Sequence, residues 1–330
     1  MQQKTGALIL ISIAAVAGLY FLEKRKNNHM VKPEYSTEIK KFRDEAETRL
    51  RSSDGWLSLV GLHWLKKGHN IVGSDLKSSV VLPSSAPAYL ADIHLDSTAT
   101  IIFKSELKNS KVIFIDGKPI GSKLNYDLLD DVAPKETQIV SASKSTSSHP
   151  AQTEKIYPTK IQVGEMQFYL INRPNGIGVR VKDAQSEHIK NFKGRQWYPI
   201  KGESKIHAHW QANDGSVKIK IPDVLGNLTE EVIPGIAKFE IDGEKIELYP
   251  IMDGDELFFI FRDQTSGKET YGAARFLYAD KPSNGFVTLD FNKAINPPCA
   301  FTHFATCPLP PPQNILKVAI RAGELKPAGH

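Results

Sequence analysis

The sequence predicts a mainly β protein, with an antiparallel β-rich, sandwich- or barrel-like body, few helices, and one hydrophobic helix before the body. Three observations indicate this fold class. Short runs rich in β-branched and aromatic residues recur through the chain, and several alternate with a period of two. Helix-period stretches of ten or more residues are scarce after residue 70. The strand–helix alternation of a parallel sheet is absent.

Composition limits the classes of function. The chain has 330 residues, 41% hydrophobic and 24% charged, which is typical of one large or two ordinary globular domains. The net charge is only +5, and no Lys/Arg-rich tract is interleaved with aromatic residues, so we expect no nucleic-acid partner. No phosphate-binding loop, nucleophile elbow or zinc-peptidase motif occurs, so we expect no cofactor.

Residues 1–29 are the first predicted element. Thr5 to Leu22 are 18 uncharged residues, at the short edge for a membrane-spanning helix, so we expect a single-pass membrane anchor. The basic residues after this run favour a cytoplasmic body. The alternative is a cleaved signal segment, with Ala15 to Ala17 at the cleavage site and an exported or periplasmic body.

The body, residues 30–330, opens with an amphipathic helix predicted over 36–52. Ile39 and Leu50 fall near one apolar stripe, and Ser36 or Thr37 is a candidate N-cap. After the helix the signals are mostly strands. The strand-like runs are 98–105, 111–116, 166–172, 176–183, 205–211, 216–221, 237–242, 245–250, 256–263 and 285–290.

Turns and a linker divide these runs. Asp116-Gly117 and Asp242-Gly243 lie between strand-like runs and are typical of hairpin turns. Residues 141–155 are rich in Ser and Thr and nearly free of apolar residues, as in a long surface loop or linker. If the body has two lobes, we expect them at 36–140 and 156–326.

Polar side chains of several chemical types concentrate near the C-terminus. A carboxylate here would act as general base, an arginine would stabilise developing negative charge, and asparagines would orient a substrate. The alternative is a buried polar network that holds a long loop in place. The candidate catalytic residues are Asp263, Arg275, Asp290, Asn292, Asn296 and Cys299.

The two cysteines, Cys299 and Cys307, flank His303 in a C-x3-H-x3-C spacing. Zinc would need a further ligand, and a nucleophile would need a nearby base. The spacing also permits a disulfide between Cys299 and Cys307. We therefore favour structural cysteines, buried or paired, and predict no metal site.

Aromatic residues supply a second type of candidate site. Trp56 and Trp64 lie in a glycine- and leucine-rich segment, and Tyr271 lies between two predicted strands. These three residues are the candidate ligand-binding residues, with the tryptophans as a stacking surface for a sugar-like ligand. The alternative for the tryptophans is a packed corner that buries apolar area.

Three segments carry a family resemblance. "GWLSLVGLHWLKKGHNIVGS", "RDQTSGKETYGAARFL" and "DFNKAINPPCAFTHFATCPLPPPQNILKVAIRAGE" together resemble the DUF1684 family, a bacterial group named for its unknown function. The resemblance runs from about residue 40 to about residue 326. It implies that the family's sequence pattern includes Arg275, residues 290–292, Asn296, Asn314 and both cysteines. It also implies that the pattern has no fixed histidine at position 303. A signal-like N-terminus is frequent in the family, which favours export.

We therefore expect a membrane-tethered or exported β-rich protein with a small-molecule ligand, and a hydrolase is the favoured activity. The alternatives are a non-catalytic binding module of the cell envelope and a purely structural protein. An enzyme of this kind should gather Asp263, Arg275 and Asp290 in one concave pocket, whereas a binding module should expose the tryptophan face.

Overall fold

The computed structural model describes residues 31–96, 99–103, 113–115, 118–119, 123–126 and 160–328. The protein is mainly β with few helices, and its sheets are antiparallel apart from one short parallel pair. The helices of the described residues are α1 (Pro33–Arg51) and α2 (Glu187–Asn191). The strands are β1 (Leu59–Trp64), β2 (Gly68–Gly73), β3 (Val80–Val81), β4 (Ala91–Leu95), β5 (Ala99–Phe103), β6 (Ile113–Ile115), β7 (Lys118–Pro119), β8 (Lys123–Tyr126), β9 (Ile161–Val163), β10 (Met166–Arg173), β11 (Gly176–Asp183), β12 (Lys205–Ala212), β13 (Lys218–Pro222), β14 (Leu228–Val232), β15 (Gly235–Ile241), β16 (Glu244–Leu248), β17 (Ile251–Asp253), β18 (Glu256–Phe261), β19 (Arg275–Ala279) and β20 (Phe286–Asp290).

Strands β1 to β11 form what we call the N-terminal unit. One sheet has the order β1-β11-β10-β9-β6-β7, and the other has the order β3-β2-β4-β5-β8. Buried residues of both sheets, such as Ile93 and Val181, belong to one hydrophobic cluster. The two sheets are therefore packed on each other through their apolar faces.

Strands β12 to β20 and the turns that follow form the C-terminal unit. Its largest sheet has the order β16-β15-β12-β20, and a second sheet has the order β17-β18-β19. Phe259, Phe261, Leu277 and Leu289 are fully buried between them in one hydrophobic cluster. This packing fixes the ends of β18, β19 and β20, which carry most of the predicted polar residues.

Helix α1 confirms the predicted amphipathic helix but starts earlier. Ile39, Ala46 and Leu50 are buried as the apolar stripe predicts. The predicted N-cap is wrong, because the helix begins at Pro33. Proline suits the first helical turn, since its fixed φ is helical and its missing N–H has no partner to lose.

The predicted single-pass anchor needs correction. Among the described residues, no helix is both long enough and apolar enough to cross a membrane, which contradicts a single-pass localisation. The segment on which the prediction rested, residues 1–29, lies outside the described residues. The N-terminal helix that is described, α1, is amphipathic and packs on the body of the protein.

One predicted turn is confirmed. Asp242 and Gly243 both have positive φ, 53° and 83°, as expected for the two-residue hairpin between β15 and β16. The other predicted turn, 116–117, and the predicted linker, 141–155, lie outside the described residues. Strands from both sides of that linker pair within one sheet, because β6 pairs with β9.

The segment after β20, residues 291–314, has little regular structure and lies against β19. We call it the proline-rich segment. β20 ends at Asp290, as predicted, and a 3₁₀ turn follows it. Phe276 of β19 forms a two-way backbone bridge with Ile295. The segment is thereby held beside the strand that carries Arg275.

Candidate functional site

The structure distributes the predicted catalytic residues over separate hydrogen-bonded groups within the C-terminal unit. The first is the ion pair of Asp263 and Arg275, which are both buried; Arg275 Nη1 lies 2.6 Å from Asp263 Oδ2. The guanidinium also donates to the carbonyls of Ile320, at 2.9 Å, and Ala322. Asp263 Oδ1 accepts from the amide and the hydroxyl of Thr265, at 2.7 and 2.6 Å. Both carboxylate oxygens are engaged, as expected of an architectural pair.

The second group surrounds Asp290 and Asn292 at the end of β20. Asp290 Oδ1 accepts from the Tyr35 hydroxyl at 2.8 Å and from the amide and Nδ2 of Asn292, each at 3.2 Å. Asn292 in turn bonds both backbone groups of Lys201, at 3.0 and 2.7 Å. Tyr35 belongs to α1, 255 residues from Asp290. Elements from both ends of the chain therefore orient this carboxylate.

The second carboxylate oxygen of Asp290, Oδ2, differs from Oδ1 in its hydrogen bonding. Asp290 is only 6% exposed, and its Oδ2 has no hydrogen-bond partner among the described residues. Arg43, also on α1, has a buried Nε that likewise lacks a partner there. Burial lowers the pKa of Arg43, and nearby Tyr35 and Asp290 oppose that shift. Asp290 and Arg43 thus each keep one buried polar atom that could take a further partner.

Aromatic rings and cations surround this group. The Arg43 guanidinium lies 4.8 Å from the ring centroid of Trp197, and Lys205 Nζ lies 4.8 Å from that of Tyr35. Burial and the hydrogen bond to Asp290 raise the pKa of Tyr35, so its hydroxyl stays protonated. Tyr35 can therefore act as a permanent donor to Asp290 Oδ1.

An open pocket of about 540 Å³ lies beside β20. His207, Phe286, Thr288 and the turn between β19 and β20 line it. Thr288 and Asp290 are two residues apart on the same face of β20, a separation of about 7 Å along a strand. The pocket therefore opens on the face of the strand that ends at Asp290.

The third group is built on Asn296. Its amide donates to Glu324 Oε2 at 2.8 Å, and Arg195 Nη1 lies 2.5 Å from the same oxygen. Its Nδ2 donates to the carbonyl of Leu325 at 2.7 Å. Burial raises the pKa of Glu324, against the opposing effects of Arg195 and Asn296. These contacts tie the proline-rich segment to the C-terminal tail.

Cys299 is partly exposed and Cys307 is buried, and both are free thiols. The Cys299 amide donates to Cys307 Sγ at 3.1 Å, and the Tyr271 hydroxyl donates to the Cys299 carbonyl at 3.1 Å. The two sulfurs therefore lie side by side, while His303 is exposed. The described part of the chain contains no cluster of three or more His, Cys, Asp or Glu side chains suited to a metal.

The two tryptophans lie on one face of β11. Trp56 faces Arg180 and Lys182 at 5.5 and 5.7 Å, and the Trp64 ring lies 3.2 Å from where a Cβ on Gly178 would sit. Residues 178, 180 and 182 share a strand face because side chains alternate. Arg180 is buried, and both tryptophans are half-buried. Arg180 Nη2 on this face donates to Thr306 Oγ1 of the C-terminal unit at 3.2 Å.

Sequence reasoning missed Tyr35, Arg43, Arg195 and Glu324. The first two lie at i and i+8 around buried Ile39, on the inward face of α1. Polar residues within the apolar stripe of a helix are the signal that would have found them. Arg195 and Glu324 are 129 residues apart and carry no such local signal.

Comparison with known proteins supports the resemblance found in the sequence. Residues 190–325, somewhat less than half of the chain, match the family model described as "Protein of unknown function (DUF1684)". A search of curated proteins finds no match. A similar solved structure is the solution NMR structure of an uncharacterized protein from Haloarcula marismortui, with 26% identity and a TM-score of 0.36, over 43% of this chain and 80% of that one.

Proposed function

We propose that the C-terminal unit is a hydrolase whose general base is Asp290. One observation carries this proposal: Asp290 Oδ1 is held by three donors, while the buried Oδ2 has no partner among the described residues. A general base needs a fixed orientation and a lone pair available to a proton. Asp263 has the first property but not the second, because Arg275 and Thr265 engage both of its oxygens.

In the proposed reaction, Asp290 Oδ2 takes a proton from a water molecule as the water oxygen attacks an acyl carbon. The new carbon–oxygen bond forms, the bond to the leaving group breaks, and the proton held by Asp290 passes to the departing oxygen, which leaves as an alcohol and restores the carboxylate. We assign the stabilisation of negative charge to Arg43, because its buried Nε has no partner among the described residues and the charge of Asp290 is close enough to affect its pKa. Arg275, the residue expected from the sequence, is occupied by Asp263 and two carbonyls.

The pocket beside β20 gives the proposed substrate a place to bind. Phe286 is 49% exposed and supplies an apolar surface, and His207 and Thr288 supply polar groups. Lys205 lies on the same strand face, between this pocket and Tyr35. A ligand with an apolar part and a polar, hydrolysable group fits this arrangement.

The test is hydrolysis of p-nitrophenyl acetate by the full chain. Asp290→Asn keeps the shape but removes the base, and we expect a rate loss of about 100-fold or more. Asp255→Asn is the matched control, because Asp255 is a surface carboxylate with a 98% exposed side chain. Equal rates for wild type and a folded Asp290→Asn would refute the proposed base.

A second candidate is ligand binding without turnover. The exposed Phe286 ring beside polar groups favours it, because sugar-like ligands stack on aromatic rings and bind polar neighbours. Thermal-shift measurements with monosaccharides and disaccharides distinguish the candidates. Stabilisation by a sugar that Phe286→Ala abolishes, together with no hydrolysis of p-nitrophenyl esters, would favour this binding function.

A further inference from the structure

We propose that Cys299 and Cys307 form a redox-active dithiol that a hydroperoxide converts to an intramolecular disulfide, with Cys299 as the sulfur that reacts first with the oxidant. This proposal is independent of the Asp290 site. It rests on the position of the two sulfurs, on their unequal exposure, and on the donors around Cys299.

The two thiols are adjacent. The Cys299 amide donates to Cys307 Sγ at 3.1 Å, so Cys307 Sγ lies within reach of the Cys299 side chain. The thiols also form a hydrogen bond with each other, and this bond is the largest cause that lowers the pKa of Cys299. Two cysteines in such contact can form a disulfide without a large backbone movement.

The two sulfurs have different roles because their surroundings differ. Cys299 is partly exposed and Cys307 is buried. Besides Cys307, the Tyr271 hydroxyl stabilises the Cys299 thiolate. Burial raises the pKa of Cys307 well above its usual value, although Arg180 opposes this. A partly exposed thiol with a lowered pKa, beside a buried one, is the arrangement of a reactive and a resolving cysteine.

The chemistry balances with one hydroperoxide, here hydrogen peroxide. The Cys299 thiolate attacks one peroxide oxygen, the O–O bond breaks, and the departing hydroxide takes a proton to form water. The product is a sulfenic acid at Cys299. Cys307 sulfur then attacks Cys299 sulfur; the S–S bond forms, the S–O bond breaks, and hydroxide leaves with the Cys307 proton as a second water.

The location gives the disulfide a structural effect. The seven residues between the cysteines form a loop that is attached to the N-terminal unit. Thr302 donates to the carbonyl of Leu59 at 3.1 Å, and Arg180 Nη2 donates to Thr306 Oγ1 at 3.2 Å. A disulfide across the base of this loop would restrict the conformations of the unfolded chain. The oxidised protein should therefore melt at a higher temperature than the reduced protein.

The test treats the reduced, folded full chain with hydrogen peroxide, blocks remaining thiols with iodoacetamide, and measures the intact mass. We expect wild type to lose two hydrogen atoms and to resist alkylation until dithiothreitol is added. Cys307→Ser, which keeps a donor beside Cys299, should instead gain one oxygen and react with dimedone. Cys299→Ser should leave Cys307 unoxidised.

Tyr271→Phe provides a variant that keeps both thiols. It should slow oxidation, because the Tyr271 hydroxyl is one of the groups that lower the pKa of Cys299. Oxidation of both single serine variants at equal rates would overturn the assignment of roles. Wild type that gains oxygen atoms without forming an intramolecular disulfide would overturn the dithiol itself.

Discussion

Asp263 and Asp290 are both buried aspartates at strand ends of the C-terminal unit, and they differ in how far their oxygens are engaged. One carboxylate oxygen of Asp263 accepts a hydrogen bond from Arg275, and the other accepts from Thr265. Asp290 gives one oxygen to Tyr35 and Asn292 and keeps the other without a partner among the described residues. A fully bonded carboxylate stabilises the fold, whereas one with an open lone pair keeps the capacity for chemistry.

The largest effect is expected when the buried ion pair of Asp263 and Arg275 is broken. Arg275→Met leaves Asp263 buried without its cation, so the free energy of unfolding should fall by about 3–5 kcal/mol. Urea denaturation measures this loss. Arg321→Met is the control, because Arg321 forms an exposed pair with Glu269 and should cost at most about 1 kcal/mol. Similar losses in the two variants would contradict an architectural role for Arg275.

A smaller effect tests the third polar group through pH. Because burial raises the folded-state pKa of Glu324 above its usual 4.5, its contribution to stability is fully present below pH 4.5 and is lost as pH rises through the folded-state pKa. The stability difference between wild type and Glu324→Gln should therefore decline with rising pH, by at most about 1.4 kcal/mol per pH unit. Denaturation of both proteins at several pH values measures it, and a pH-independent difference would refute the raised pKa.

The smallest expected effect concerns the orientation of Asp290. Tyr35→Phe removes one of three donors to Asp290 Oδ1 while Asn292 keeps the other two, so unfolding should become easier by about 1 kcal/mol. The rate on p-nitrophenyl acetate should fall by less than it does in Asp290→Asn. A rate loss equal to that of Asp290→Asn would make Tyr35 itself part of the chemistry.

Much of the fold was predictable because its signals are local. Alternating apolar residues predicted β10, β11 and β12, and the Asp242-Gly243 pair predicted the hairpin that follows β15. The sequence did not predict β1 and β2 as strands. Their segment is rich in glycine and tryptophan, which weakens the alternation on which strand prediction depends.

The candidate site was predictable only in part. The end of β20 at Asp290 follows from the strand signal of residues 285–290. The partners of Asp290 do not, because Tyr35 and Arg43 come from a helix at the other end of the chain. Which carboxylate is saturated depends on such long-range contacts, and a sequence pattern carries no information on them.

The most direct test of the central claim is to compare the unfolding free energies of Asp263→Asn and Asp290→Asn. The two substitutions change the same atoms at two buried sites. We expect Asp263→Asn to lose about 3–5 kcal/mol, because it leaves the Arg275 cation buried without its counter-charge. Asp290→Asn should stay within about 1 kcal/mol of wild type, since its Oδ2 has no hydrogen bond to lose among the described residues. Equal losses at the two positions would contradict the distinction between an architectural and a functional carboxylate.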